Sequence, residues 1–297
     1  MEFYSGSANI PLGEKVASAM GKSLSGREIF VFPDGERRVQ IEDKVVDKDT
    51  VIVQPTSPPV DTNYMELLFL ADGLKRSGAR SVTAVVPYLG YQRQDHIFRD
   101  GEAVSLDVVV HAMESTGIDR FILFDLHSIK IPEVFRVPVT HLSAFPEFAK
   151  IISDMGDENE TVLVSPDMGG IRRIKQLSDK LSGMPYVTVV KDRDLDTGDV
   201  KARSFDGTIR KRAIMVDDMI SSGKTMVEAA ELLLANGAEE VVAMATHAIF
   251  SKEAPELLEK SKITSVIVSD TVFVPKEKQF PKLGIISISE MVAQALR

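Results

Sequence analysis

Short apolar runs rich in valine and isoleucine alternate with stretches in which apolar residues return every third or fourth position, along almost the whole chain. The runs at 29–32, 51–54, 82–86, 121–125, 162–165, 187–190, 213–217, 241–245 and 266–268 predict strands. Helical spacing near 62–77, 103–115, 169–181 and 224–235 predicts helices between them. That alternation argues for an α/β protein built on parallel sheets with helices on both faces.

The order repeats. Segment 62–77 ends in Gly78-Ala79 before a strand from Ser81, and segment 224–235 ends in Gly237-Ala238 before a strand from Val241, an offset of 159 residues. At nearly the same offset, 2–20 and 162–181 share an outline of strand, Gly/Ser turn and helix. Chance echoes between βα segments are the competing explanation. Two copies of one α/β unit are the expectation, with a boundary near residue 145.

The second copy carries the most informative stretch, 211–233. An apolar run from Ala213 to Val216 ends in Asp217 and Asp218, and Met226, Ala229, Ala230 and Leu233 mark an amphipathic helix soon after. Ser221, Ser222, Gly223, Lys224 and Thr225 fall between them, where hydroxyls and backbone N–H groups meet the positive end of a helix. That is a place for a phosphate. Carboxylates repel phosphate but accept hydrogen bonds from sugar hydroxyls or hold a divalent cation, so the stretch suits a phosphorylated sugar. A nucleotide P-loop, GxxxxGKT, demands glycine where this chain has Asp218. A plain helix cap explains one acid and leaves the rest of the loop unexplained. The first copy has TSPPVDTN at this point and lacks both the acid pair and the phosphate loop.

Four further segments stand at strand ends. FPDGE at 32–36 has the chemistry of a tight turn, and a hairpin alone would account for it. PYLGYQRQDH at 87–96 follows a strand end, where open α/β sheets bind ligands, and sets Arg93, Gln94 and Asp95 beside two tyrosines. FDLHS at 124–128 places His127 just past an apolar strand, a position for a metal or phosphate contact, although a lone histidine is more often structural. SPDMGG at 165–170 places Asp167 before paired glycines and a helix, a second cation or phosphate candidate. The charged segment 191–212, opening on Lys191 and Arg193, reads either as a solvated face or as a long mobile lid.

Composition narrows the classes. A chain of 297 residues has room for two ordinary domains. The absence of cysteine excludes disulfides and thiolate metal sites and suits a reducing cytosol, so a cytoplasmic location is expected. A formal charge of −9 without a basic tail argues against sequence-independent nucleic-acid binding. No apolar run reaches the roughly 18 residues of a membrane helix, and the first residues lack the pattern of a secretory signal, so no membrane partner is expected.

Taken in order, FPDGE, PYxxYxRQD, DLH, SPDxGG, Lys-x-Arg and VDDMISSGKT make the chain resemble the ribose-phosphate pyrophosphokinases, or phosphoribosyl pyrophosphate synthetases, from residue 2 to about residue 290. The loop at 213–226 alone also fits the wider type I phosphoribosyltransferases. The resemblance implies two tandem type I phosphoribosyltransferase-like domains, each a mainly parallel sheet flanked by helices. It implies a nucleotide-side domain over 1–145 and a ribose-5-phosphate-binding domain over 146–297, whose last residues pack back on the first. By resemblance, Asp217 and Asp218 hold the ribose hydroxyls and Ser221 to Thr225 the 5-phosphate. Phe32, Asp34, Glu36, Arg93, Gln94 and Asp95 contact ATP. His127 and Asp167 position Mg²⁺ and phosphates, and Lys191 and Arg193 stabilise the transferred group. A homodimer or larger assembly is implied, with FPDGE reaching a neighbour's site. The loop departs from the family's frequent Thr-Gly-Gly-Thr and keeps hydroxyls and glycine, while Lys224 is closer to purine-salvage phosphoribosyltransferases. Residues 98–105 lack the pattern of phosphate-activated, ADP-inhibited bacterial enzymes. Two other classes remain open at this point: a phosphoribosyltransferase, which leaves FPDGE and RQD unexplained, and a non-catalytic regulatory relative, which leaves the intact Lys191, Arg193, His127 and acid pair unexplained.

Overall fold

The computed structural model describes residues 1–193, 200–251 and 253–297, and at 191–193 and 200–203 it describes the backbone alone. Contacts divide the chain into two units, one of Met1–Leu142, Thr271–Phe273 and Ser287–Arg297, the other of Ser143–Asp270 and Val274–Ile286.

In the first unit β1 (Glu2–Ser5), α1 (Ile10–Ala19), β2 (Arg27–Val31), β3 (Arg37–Ile41), β4 (Asp49–Val53), α2 (Val60–Arg76), β5 (Ser81–Val86), α3 (Ser105–Ser115), β6 (Arg120–Phe124) and β7 (Val139–Leu142) follow in order. The second contains α4 (Phe145–Asp154), β8 (Thr161–Ser165), α5 (Ile171–Lys180), β9 (Tyr186–Arg193), β10 (Val200–Asp206), β11 (Arg212–Ile220) and α6 (Lys224–Ala235). It continues through β12 (Glu240–Ala248), α7 (Ala254–Lys260), β13 (Ser265–Ser269) and β14 (Leu283–Ile286). The final helix, α8 (Ser289–Leu296), belongs to the first unit and packs on α1, where Arg297 Nη2 donates to the Ala19 carbonyl at 3.0 Å.

The two main sheets share one topology. The first runs β1-β4-β5-β6-β7, all parallel, and the second contains β8-β11-β12-β13-β14 in the same sequence of neighbours, again parallel. Each unit inserts an antiparallel strand pair after its first strand and helix. In the first unit, β2 and β3 form a separate ribbon. In the second, β9 joins the sheet beside β8 and β10 pairs antiparallel on its outer edge.

Parallel strands covered on both faces need continuous apolar runs. In β11 every residue after Arg212 is buried. Val162, Val164, Ala213, Met215, Val241 and Ala243 cluster with Met226, Ala230 and Leu233 of α6, and the first unit builds a matching core on Leu67, Leu70 and Leu74 of α2.

The expectation of a long loop at 191–212 needs correction, because β9 extends to Arg193 and β10 begins at Val200. An edge strand exposes a row of backbone groups, and pairing with β10 satisfies those of β9. Residues 194–199, in the segment read as a lid, lie outside the described residues. The short edge strands β7 and β14 are absent from the expected runs: Thr140 and His141 interrupt β7, and Gly284 interrupts β14.

Candidate active site

The end of β11 carries Asp217 and Asp218 into the interior, with only 9% and 2% of their surface exposed. Adjacent buried carboxylates repel each other and lose hydration. Arg173, in the first turn of α5, answers both: its Nη2 lies 2.7 Å from Asp217 Oδ1 and 3.2 Å from Asp218 Oδ1. The Asp218 N–H also donates to Asp217 Oδ1 at 2.8 Å. Burial first, and then the neighbouring Asp218 charge, push the Asp217 carboxyl well above its usual range, while Arg173 pulls the other way.

Past Ile220 the chain turns through Ser221 and Ser222 into Gly223, whose φ of 78° is left-handed and favours glycine. A Cβ there would also lie 3.3 Å from Leu258. The segment after β12 clamps this turn: the Ser251 N–H donates to the Ser221 carbonyl at 3.0 Å, and the Ile249 and Phe250 N–H groups both donate to the Ile220 carbonyl at 3.1 Å. Helix α6 starts at Lys224 with no side-chain cap from Gly223. Its positive end therefore faces outward beside Ser222 and Lys224, which are exposed, an arrangement that receives an anion.

Just past the end of the neighbouring strand β8, Asp167 caps a short turn, its Oδ1 accepting from the Gly169 and Gly170 N–H groups at 2.9 and 3.2 Å. A Cβ at Gly170 would meet Ser165 Oγ at 2.3 Å, so a side chain there would displace that hydroxyl from its bond to the Asp167 carbonyl. Lys191 and Arg193 end β9, on the other side of β8, and their side chains lie outside the described residues.

In the first unit, FPDGE is the hairpin loop of the β2–β3 ribbon. The Phe32 N–H donates to the Glu36 carbonyl at 2.8 Å, the Gly35 N–H to the Phe32 carbonyl at 2.9 Å, and Gly35 takes φ 93°. Phe32, Asp34 and Glu36 all project from this loop into solvent. The ribbon is tethered by Arg37, whose Nη1 lies 3.2 Å from the buried Glu66 Oε2.

The loops after β5 and β6 are joined. Gln92 is buried, its Oε1 accepting the His127 N–H at 2.9 Å, so the loop bearing Arg93, Gln94 and Asp95 and the loop bearing His127 form one surface. Arg93, Gln94 and His127 are exposed. Tyr91 and Asp125 hold left-handed backbone at φ 59° and 32°, strain of the kind that collects at ligand-binding loops. His141 Nε2 accepts the Leu126 N–H at 3.1 Å, a bond that only the imidazole without a proton on Nε2 makes. Burial holds this ring below the usual histidine value, against the pull of Asp125.

The structure thus gathers Asp217, Asp218 and the 221–225 loop at one strand end beside Asp167, and gathers Arg93, Gln94 and His127 at another. Among the described residues no three histidine, aspartate or glutamate side chains converge as a metal cage. Magnesium commonly binds through one or two carboxylates, waters and substrate oxygens, so Asp167 in the second unit and His127 in the first each have, taken singly, the chemistry of a donor to it. Sequence reasoning missed Arg173, Gln92 and Glu66. For Arg173 a signal existed: it lies four residues before Leu177 on the apolar face of α5, an unusual place for a guanidinium.

A family model described as the N-terminal domain of ribose phosphate pyrophosphokinase matches residues 1–117, and the phosphoribosyl synthetase-associated domain matches 175–297. The ribose-phosphate pyrophosphokinase of Fusobacterium nucleatum is 35% identical over 298 residues, covering 100% of this chain and 94% of the relative. The chain belongs to the ribose-phosphate pyrophosphokinase family. The enzyme of that name from Gloeobacter violaceus is 38% identical over 299 residues, covering 100% of this chain and 89% of the relative. The crystal structure of phosphoribosylpyrophosphate synthetase from Mycobacterium smegmatis superposes with a TM-score of 0.93 at 30% identity, covering 100% of this chain and 97% of that one.

Proposed function

We propose that this chain transfers the pyrophosphoryl group of ATP to the anomeric hydroxyl of ribose 5-phosphate, giving 5-phosphoribosyl 1-pyrophosphate and AMP. The observation that carries the reading is the buried acid pair beside an uncapped helix N-terminus, in a chain that matches this family over its whole length. The anomeric oxygen attacks the β-phosphorus, the bond from that phosphorus to the α,β-bridging oxygen breaks, the hydroxyl proton is released, and AMP departs. Asp217 and Asp218 accept hydrogen bonds from the ribose hydroxyls, and the turn from Ser221 to Thr225 holds the 5-phosphate. Phe32, Asp34, Glu36, Arg93, Gln94 and Asp95 hold ATP. Lys191 and Arg193 meet the charge that develops during transfer, where positioning and electrostatics dominate. His127 and Asp167 would hold Mg²⁺, which neutralises phosphate charge when bound. The working unit is at least a homodimer, FPDGE serving a neighbour's ATP site, and the location is cytoplasmic.

The test is product analysis. With Mg²⁺, ATP and ribose 5-phosphate, AMP and a 1-pyrophosphorylated sugar should form in equal amounts, and ADP in place of AMP would overturn the reading. Lys191→Ala should lower kcat by on the order of 10²–10³ with ATP affinity nearly unchanged. An unchanged single-turnover rate would leave Lys191 as a solvated surface charge. Mixing inactive Phe32→Ala/Glu36→Ala chains with inactive Lys191→Ala chains should restore activity when subunits exchange. No restoration after verified exchange would remove the shared site.

A further inference from the structure

We propose that Arg173 is a positioning residue for the sugar: its guanidinium locks the Asp217 and Asp218 carboxylates in one arrangement and offsets their charge, so that an anionic sugar phosphate binds beside two acids. The inference rests on the reading of Asp217 and Asp218 as the sugar-hydroxyl site.

The geometry is specific. One nitrogen, Nη2, spans both carboxylates, and it meets them through their Oδ1 atoms at 2.7 and 3.2 Å. Arg173 is itself largely enclosed, and its Nε is a buried donor with no hydrogen-bond partner. A surface charge placed by chance would keep that group in water. The neighbouring arginine and lysine on the same helix, Arg172 and Lys175, are exposed, so burial is particular to Arg173. Its delivery is also built. Asp167 caps the turn that leads into α5, and Arg173 follows in the first turn of that helix, so the turn sets where the guanidinium starts.

The chemistry requires such a group. Two ionised carboxylates side by side would repel the dianionic phosphate that must bind at the adjacent turn. They would also repel each other and splay, losing the paired acceptors that adjacent hydroxyls need. A bridging guanidinium prevents both, and it acts through the acids without touching the transferred group.

The test begins with calorimetric titration of ribose 5-phosphate into the wild-type protein, which needs no turnover. Absence of binding there would defeat the reading of the site itself. Given binding, Arg173→Met should weaken ribose 5-phosphate by roughly tenfold to a hundredfold, the scale of a lost charge-assisted contact, while ATP affinity stays unchanged. Arg173→Lys should recover part of the loss, since an ammonium restores the charge without the planar fork. Guanidinium ion at millimolar concentration should partly rescue Arg173→Ala. In an Asp217→Asn/Asp218→Asn background, Arg173→Met should add little, because its effect passes through those acids. Equal losses for both substrates, or unchanged sugar binding with Arg173→Met, would overturn the inference. Should the methionine variant not fold, Arg173→Lys decides: unaltered ribose 5-phosphate affinity and selectivity between substrates would count against it.

Discussion

The β4–α2 connection and the β11–α6 connection occupy the same place in the same sheet topology, yet one is sealed and the other is charged. In the first, Gln54, Thr56 and Ser57 are buried and bonded to their own surroundings. Thr56 Oγ1 donates to the Tyr88 carbonyl at 3.1 Å and accepts the Gly90 N–H at 2.8 Å. Asn63 Nδ2 donates to the Ser57 carbonyl at 2.6 Å, and Gln54 Nε2 donates to Glu66 Oε1 at 3.1 Å. In the second, two carboxylates meet a single guanidinium, and the turn opens onto a helix N-terminus through left-handed Gly223. Where a loop spends its polar groups on its neighbours it becomes a connector. Where it keeps charge and a helix dipole, it keeps the means to bind.

The largest expected break in this comparison comes from truncating the acids. Asp217→Ala or Asp218→Ala should weaken ribose 5-phosphate roughly tenfold to a hundredfold with ATP affinity preserved, measured by calorimetry. The matched change in the sealed loop, Asn63→Ala, should leave sugar affinity intact and cost about 1–3 kcal/mol in urea unfolding, because a buried carbonyl loses its donor. Equal effects of the two changes on sugar binding would erase the distinction between the loops.

A middle-sized effect is expected at the turn itself. Gly223→Ala should cost about 1–2 kcal/mol of stability through left-handed backbone. It should also weaken sugar-phosphate binding, because the helix N-terminus shifts against Leu258. Loss of stability with no change in binding would separate the turn from the phosphate site.

The smallest effect sharpens the electrostatic side. Because burial and Asp218 raise the Asp217 carboxyl above its ordinary 3.8, the folded chain binds that proton more tightly than the unfolded chain does. The group's contribution to stability is therefore complete at low pH and is lost as pH climbs from the ordinary carboxylate range through the raised folded value. Asp217→Asn removes that loss, so the ligand-free variant should melt a few degrees above wild type at neutral pH. The two melting curves should converge near pH 4. A wild type that is the more stable at neutral pH would mean that Arg173 outweighs burial.

Much of the fold was legible because it follows from local rules. Buried parallel strands must be runs of apolar residues, so β4, β5, β6, β8, β11, β12 and β13 announced themselves, and so did helices α2, α3, α5 and α6. Edge strands β7 and β14 did not, since Thr140 and His141 interrupt the first and Gly284 the second. The segment after Lys191 was misread for a related reason: charge density suggested a loop, while the free edge of β9 drew β10 into pairing.

By itself the sequence determined the alternation of strands and helices, the hairpin turn at 32–36, and the succession of acid pair, glycine and helix at 217–225, all of which depend on residues a few positions apart. Only the tertiary structure decided that Arg173 reaches Asp217 across 44 residues of chain, that Gln92 joins His127 across 35, and that the acids are buried. The reason is geometric. Which side chains meet at a sheet's end is set by strand order, here β8 beside β11 and β5 beside β6. Strand order in turn is chosen by the packing of the whole core, to which no short stretch of sequence refers.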